Sequence, residues 1–173
     1  VAARVAELLR GAGIPVRADD RRGFDHGVFA PLFVSYPDAD VPILQLSIKH
    51  SFDPADHLAA GRALAPLRDE GVLIIGSGLS YHNLGDFGPS GARASREFDG
   101  WLTNTLVEAP PERRTELLLG WDRAPSARHS HPREDHLIPL MVAVGAAEQY
   151  PGARVYHDER FMGSITSSSY RFG

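Results

Sequence analysis

The stretch "GSGLSYHNL", which begins at Gly76, places a histidine among glycines and short polar side chains directly after an apolar run, "VLIIG". The ordinary pKa of imidazole suits proton transfer near neutral pH, so His82 is a candidate general acid or base. Gly76 and Gly78 allow a sharp turn and a close approach of the backbone, while Ser80 and Asn83 can hold the ring or contact a ligand. The competing interpretation is a glycine turn in which the histidine only caps a helix. The local sequence favours neither of these two interpretations over the other.

A second candidate is the segment "HPREDH", residues 131–136. Pro132 predicts the first position of a long helix, which would place His136 in the second turn on a stripe that faces the core. A buried histidine needs a partner, because burial without one costs about 1 to 3 kcal/mol, and a metal or a carboxylate would supply it. His131 and His136 are five positions apart and do not share one helical face, which excludes the histidine pair of zinc proteases.

The third candidate is "FDHGVFAPL", residues 24–32. Asp25 and His26 adjoin Gly27 and stand before an apolar helix or strand. This order of an acidic side chain, an imidazole and a glycine suits a loop that contacts a substrate. An aspartate that caps a turn is the simpler interpretation if the segment is considered alone.

The elements that would position these residues follow from the apolar pattern. Residues 41–48 and 72–76 are typical of strands covered on both faces, and a helix that starts at Asp53 and ends at Gly71 separates them. Strand, helix and strand within about 35 residues predict a βαβ unit with parallel strands. Because ligands gather at the carboxyl ends of such strands, His82 is expected at the ligand site.

We therefore predict an α/β fold in one domain, residues 1–173, with a central, mostly parallel sheet and helices on both faces. Further helices are predicted over 2–11, 96–109 and 111–121, and two closing strands over 153–158 and 164–170; residues 124–135 are predicted to be an exposed connection.

The composition limits the class of protein. The chain has 173 residues and a net charge of −4, which is ordinary for one soluble globular domain. No apolar run reaches the roughly 18 residues that span a bilayer, and no basic run exceeds two arginines, so neither a membrane nor a nucleic acid is the expected partner. The absence of cysteine excludes disulfides and thiolate metal sites, and a reduced cytoplasm fits best.

Taken together and in this order, the candidate segments resemble the class III extradiol ring-cleavage dioxygenases of the LigB-type superfamily, most closely the branch that opens 4,5-dihydroxyphenylalanine (DOPA). The matching stretches are "FDHGVFAPL", "YPDADVPILQLSI", "DPADHLAAGRALAPLRDEGVLIIGSGLSYHNL", "FDGWL", "HPREDHLIPLMVAVGAA" and "SSSYRFG". They cover nearly the whole chain. A set of consecutive matches is more specific than any single motif.

The resemblance implies a mononuclear non-haem Fe(II), with Zn(II) as an alternative in isolated protein, held by a few side chains that leave positions open. His82 resembles the family's acid/base histidine, and His26 a second pocket histidine that contacts substrate or bound oxygen. The third metal ligand lies in "HPREDH", where we favour His136 over His131 by counting back from "VGAA". The substrate-binding residues that we expect are Asp25, Ser80, Asn83 and Tyr170.

The activity implied is the opening of a catechol ring with O2. A catechol such as DOPA would bind Fe(II) through both oxygens, and His82 would assist its deprotonation and the later cleavage of the O–O bond. The expected partners are the catechol and O2. The sequence leaves open whether the chain also forms a homo-oligomer.

One departure from the family concerns its first two metal ligands. They come from an N-terminal "HGxP"-type loop and a later histidine, and nothing in residues 1–25 matches either. Because Val1 already belongs to an amphipathic pattern, we expect the chain to be the C-terminal part, about two-thirds, of one catalytic domain. Another chain could instead supply the ligands. In either case, absent sheet strands should leave apolar surface exposed or paired with another subunit.

Two alternatives from other classes stay open. One is a relative that keeps the fold as a non-catalytic binding or scaffold protein without a complete metal site. The other is a zinc-dependent hydrolase, since histidine sites with an open position also suit Zn(II). The presence of both His82 and His26 favours an enzyme over a scaffold.

Overall fold

A computed structural model describes all residues, 1–173, and places helices before a closing pair of strands. The helices are α1 (Ala2–Gly11), α2 (His26–Ser35), α3 (Pro54–Leu64), α4 (Ala92–Thr103), α5 (Pro111–Leu119), α6 (Ala127–Ser130) and α7 (Ile138–Ala146). The strands are β1 (Gly152–Phe161) and β2 (Ile165–Phe172). A 3₁₀ turn, Ala65–Arg68, extends α3, and a π-helical turn, Asn104–Glu108, extends α4.

The main core lies between α3, α4 and α7. Phe98 and Leu102 of α4 pack with Ile138 and Met141 of α7, and all four are buried. A smaller core joins α1 to the end of α3 and the turn after it. No helix of the structure combines the length and the apolar character that crossing a membrane requires.

Helix α3 begins as its sequence predicts. The side chain of Asp53 accepts a hydrogen bond of 2.8 Å from the backbone N–H of Ala55, and Pro54 occupies the first helical position. This cap satisfies one of the N–H groups that a helix start leaves free. The helix predicted between the two apolar runs is therefore confirmed.

Helices α3 and α7 approach each other backbone to backbone. A Cβ added to Gly145 would overlap the carbonyl oxygen of Leu58 and would lie 3.1 Å from the Cα of Gly61. Glycine is thus required on both sides of this contact, because no side chain fits between the helices.

The closing strands are confirmed as an antiparallel hairpin. Gly152 pairs with Phe172 and Phe161 with Ile165, with irregularities of register between them. The start of β2 is buried against α4, where the backbone N–H of Thr166 donates to the hydroxyl of Ser95 at 3.0 Å.

The central parallel sheet is not found, and this prediction needs correction. Residues 41–48 and 72–79 have neither helical nor strand pairing, and no backbone hydrogen bond joins them to each other. The only sheet is the hairpin β1-β2, so the structure is an α/β domain with a small antiparallel sheet. A βαβ pattern in a sequence predicts which segments are extended but not which strands pair with each other, since consecutive strands pair only about two-thirds of the time.

The start of α7 also differs from the prediction. The helix begins at Ile138 rather than after Pro132, and the first-turn proline is Pro139. Residues 132–137 form turns in which the carbonyl of Glu134 accepts from the N–H groups of Leu137 and Ile138. His136 therefore precedes the helix, and its placement on an inward helical stripe was wrong.

Large apolar side chains are exposed on α2 and on the second of the two unpaired segments. Helix α2 has no buried residue, and Phe33 and Val34 are 76% and 80% exposed. Leu73 and Ile75 of the second segment are 72% and 57% exposed.

Replacing Gly145 with alanine should lower the free energy of unfolding by about 1 to 3 kcal/mol, because the methyl group forces α3 and α7 apart. Gly100 is the matched control, since it is exposed in α4 and an added Cβ meets nothing within 4 Å. G100A should raise stability by about 0.5 to 1 kcal/mol. Urea denaturation measures both, and a G145A protein as stable as the parent would contradict the packing.

Glu148 should make stability depend on pH in the acid range. Two hydrogen bonds from Arg62, at 2.6 and 2.7 Å, lower the pKa of Glu148 to about 2, and Thr115 donates a third at 2.7 Å. Because the folded pKa lies below the unfolded one, this stabilisation is present above about pH 4.5 and is lost as the pH falls towards 2.

E148Q should therefore flatten the dependence of unfolding free energy on pH between about 2 and 4.5, and cost about 1 to 2 kcal/mol at pH 7 after allowance for solvent screening. Glu116 is the control, since its ion pair with Arg113 is exposed. An unchanged pH slope in E148Q, or an equal change in E116Q, would count against the role of the Arg62 pair.

Candidate functional site

The rings of His82 and His136 stack on each other. Their centroids are 3.4 Å apart and their planes differ by 17°. Asp135 joins them, and one ligand atom from each of the three side chains lies within 4.8 Å of the other two. All three are partly buried. The structure therefore brings together two histidines that the sequence singled out separately, and adds a carboxylate.

Backbone hydrogen bonds hold the two histidine segments side by side. The N–H of Leu79 donates to the carbonyl of His136 at 3.1 Å, and the N–H of His82 donates to the carbonyl of Ser130 at 2.9 Å. Gly78 makes this approach feasible, since a Cβ there would overlap the carbonyl oxygen of His136. The glycines before His82 thus allow close backbone contact.

The electrostatics of the cluster favour the neutral form of the His82 imidazole. Burial lowers the pKa of His82, and the neighbouring His136 lowers it further. Burial works against ionisation of Asp135, but the adjacent imidazoles and Arg133 bring the net pKa of its carboxyl below the ordinary value. A neutral imidazole can accept a proton, and a carboxylate beside it can hold a cation.

Two buried polar atoms of the cluster lack a partner, namely Nδ1 of His136 and Oδ1 of Asp135. They lie 3.3 Å apart without the geometry of a hydrogen bond. Buried polar atoms are normally satisfied, so both atoms are candidates to bind a further group. Imidazole and carboxylate donors suit Fe(II) and Zn(II), and the residues present therefore fit a metal ion.

His26 is the first residue of α2 and is exposed. It is close enough that its positive charge would also lower the pKa of His82. A hydrogen bond from the hydroxyl of Ser77 to the carbonyl of Gly27 connects this helix start to the segment that carries His82. The structure thus places His26 near the cluster but outside the three-residue group.

Asp25 is tied into its own loop. Gln45 donates to its carboxylate at 2.8 Å and accepts from its backbone N–H at 2.7 Å, while Arg22 forms an ion pair with it at 2.7 Å. The carboxylate therefore anchors the loop before His26 to the segment 41–48.

The other expected substrate contacts make hydrogen bonds within the chain. The hydroxyl of Ser80 accepts from the N–H of Ser168 at 3.2 Å. The amide of Asn83 donates to the carbonyl of His129 at 2.8 Å and caps a 3₁₀ turn. The hydroxyls of Tyr170 and Thr103 share a hydrogen bond of 2.9 Å, and burial raises the pKa of Tyr170.

His131 lies in a different environment from His136. It is fully buried, and its Nε2 lies 3.0 Å from the carbonyl oxygen of Ser80. The prediction that residues 124–135 form an exposed connection was wrong here, because Ser130 and His131 are both inaccessible to solvent. The structure stacks the ring of His136 on that of His82, while the ring of His131 contacts the backbone of Ser80.

Sequence reasoning did not choose Asp135 as a site residue. The sequence signal for Asp135 is its position directly before His136. The prediction of a helix that starts at Pro132 did not use that signal. His57 was not singled out either, and it is 3% exposed and bonded to the backbone of Lys49 and Asp53.

Comparison with known proteins gives a consistent picture. A family described as "Catalytic LigB subunit of aromatic ring-opening dioxygenase" matches residues 1–173. The chain is 39% identical to the 4,5-DOPA dioxygenase extradiol of Beta vulgaris and 36% identical to that of Escherichia coli K12, over 99% and 100% of its length. It is 40% identical over 92% of its length to the dioxygenase tasH of Hapsidospora irregularis.

The fold is also shared with a solved structure, that of the uncharacterized protein JW3007 from Escherichia coli K12. The TM-score is 0.83 with 35% sequence identity, over 99% of this chain and 71% of that one. The chain spans 65% of the length of the Beta vulgaris and Escherichia coli relatives and 53% of tasH.

Metal affinity should depend on this cluster. In the full-length gene product, H136A should weaken Co(II) binding by at least about tenfold, because it removes the imidazole donor. D135N should weaken binding by a similar factor, because it removes the carboxylate beside that imidazole. Isothermal titration under anaerobic conditions measures the affinity. H129A is the control, since His129 is exposed and pairs with Asp86 outside the cluster. Parental affinity in H136A, or an equal loss in H129A, would contradict the assignment.

Proposed function

The chain belongs to the family of the catalytic LigB subunit of aromatic ring-opening dioxygenases, and on that premise we propose that it forms part of an extradiol dioxygenase that opens a catechol ring with O2. The observation that carries the proposal is the stacked pair of His82 and His136 with Asp135 beside them. Its first relatives include a 4,5-DOPA dioxygenase extradiol, so DOPA or a related aromatic acid is the proposed substrate.

The metal of this site is Fe(II) in our proposal, with Zn(II) as an alternative in isolated protein. His136 would hold it, with Asp135 at hand as a carboxylate donor or as the partner of the imidazole. We assign His131 no direct contact with the ion. When bound, the ion supplies Lewis acidity towards the catechol oxygens and a path for electrons between the ring and O2.

Further ligands to the ion come, in this proposal, from a part of the full-length protein outside residues 1–173 or from another chain. Two observations support these additional ligands. One imidazole and one carboxylate are fewer protein donors than non-haem iron sites use, and the relatives are longer than the matched segment.

His82 is the proposed acid and base. With its pKa lowered by burial and by His136, its imidazole is neutral at neutral pH and can accept a proton from a catechol hydroxyl. The proton would be held on the ring until an oxygen of the opening product takes it. The stacking on His136 keeps the ring in one orientation, which is the condition for efficient proton transfer.

His26 would contact the substrate from the start of α2, and its exposure leaves its ring free to do so. Asp25 holds the loop before it through Gln45. Ser80, Asn83 and Tyr170 remain proposed substrate contacts, and each of them forms a hydrogen bond within the chain.

The two alternatives are less favoured. Relatives named as dioxygenases favour ring opening over zinc-dependent hydrolysis and over a scaffold without catalysis. A cytoplasmic location is part of the proposal and rests on the cysteine-free composition alone.

Aerobic incubation of the full-length gene product with Fe(II) and DOPA should consume O2 and form a yellow ring-opened semialdehyde. H82A should reduce kcat by about 10² to 10⁴, because it removes the proton-transfer group. Its metal content should stay near that of the parent. The exposed His50 provides the control, and H50A should retain activity.

Oxygen electrode and absorbance traces follow the reaction, and metal analysis follows the ion. No O2 uptake by the parent protein with any catechol would refute the proposed activity. Loss of the metal in H82A would instead make His82 a ligand.

A further inference from the structure

His131 is a buried histidine whose role the ring-opening chemistry does not explain. It has no exposed surface, and its Nε2 lies 3.0 Å from the carbonyl oxygen of Ser80. A carbonyl oxygen only accepts, so Nε2 carries the proton and donates. Nδ1 is then a bare nitrogen, buried without a partner. Only one of the two ring nitrogens therefore has a hydrogen-bond partner within the protein.

The surroundings fix the ring in place. Phe98 and Trp121 pack against it edge to face, with centroids at 5.1 and 6.1 Å. Burial lowers the pKa of His131 to about 4, so the imidazole is neutral at neutral pH. A neutral ring held between two aromatic rings has one orientation, and its N–H is aimed at one acceptor.

That acceptor belongs to the segment that carries His82. Three hydrogen bonds join residues 79–82 to residues 130–136. Two are backbone bonds, from Leu79 to His136 and from His82 to Ser130, at 3.1 and 2.9 Å. The third is the bond from His131, and it is the only one of the three that a side chain provides.

We propose that His131 is a positioning residue for the ring-opening site: through the carbonyl of Ser80 it fixes the backbone on which His82 stands, and so sets that ring against His136. The proposal rests on the proposed function for its catalytic consequence. Its structural part, the contact between the rings of His82 and His136, stands independently of any activity.

The test compares H131F, which keeps an aromatic ring but has no donor, with H131Q, whose amide can still reach the carbonyl of Ser80. His57 is the matched control, since it is equally buried and bonded to backbone but on α3, away from the cluster. All variants are made in the full-length gene product.

In the metal-free protein, a nuclear Overhauser effect between the ring protons of His82 and His136 reports their contact. It should be present in the parent, H57F and H131Q, and lost in H131F. With Fe(II) and DOPA, H131F should lower kcat at least about tenfold with little change in KM or metal content, since a displacement of about 1 Å already affects rate strongly. H131Q should recover most of that loss.

An intact inter-ring signal in H131F, or an equal loss of kcat in H57F, would overturn the proposal, and so would loss of the metal in both H131F and H131Q. If H131F does not fold, H131N replaces it, because its shorter amide does not reach the carbonyl of Ser80. If the parent shows the inter-ring signal but opens no catechol, the proposed function fails, while the signal in the variants still decides whether His131 sets the contact.

Discussion

The pairing of residues 79–82 with residues 130–136 is the constraint on which the site depends. Neither histidine would meet the other through helix or strand geometry, since His82 follows an unpaired extended segment and His136 precedes α7. Hydrogen bonds of 2.9 to 3.1 Å bring the two backbones together, and Gly78 leaves the space that this approach needs. The proposed chemistry depends on this contact rather than on any single motif.

Burial lowers the pKa of His82, and the His136 ring stacked on it at 3.4 Å lowers it further. A neutral imidazole is both the form that binds a metal and the form that takes a proton. In the proposed function, this contact places the ring of His136 as a ligand beside that of His82 as a base, with the Asp135 side chain next to both.

Much of the local structure could be predicted, because it depends on local signals. Asp53 with Pro54 predicted the start of α3, and the alternation of residues 164–170 predicted β2. The parallel sheet could not be predicted correctly, since an apolar run fixes an extended conformation but not the strand that pairs with it. Proline is favoured in the first turn of a helix, and both Pro132 and Pro139 could meet that preference. The helix starts at Ile138, so its first-turn proline is Pro139 and not Pro132. The burial of His131 depends on long-range packing, which no local pattern reports.

The most direct measurement is anomalous diffraction at the iron edge from anaerobic crystals of the full-length gene product grown with Fe(II). One peak is expected at coordination distance from the imidazole of His136, with the ring of His82 beside it and that of His131 still bonded to Ser80. A peak bound to other histidines, or full iron occupancy far from His136, would contradict the proposed site.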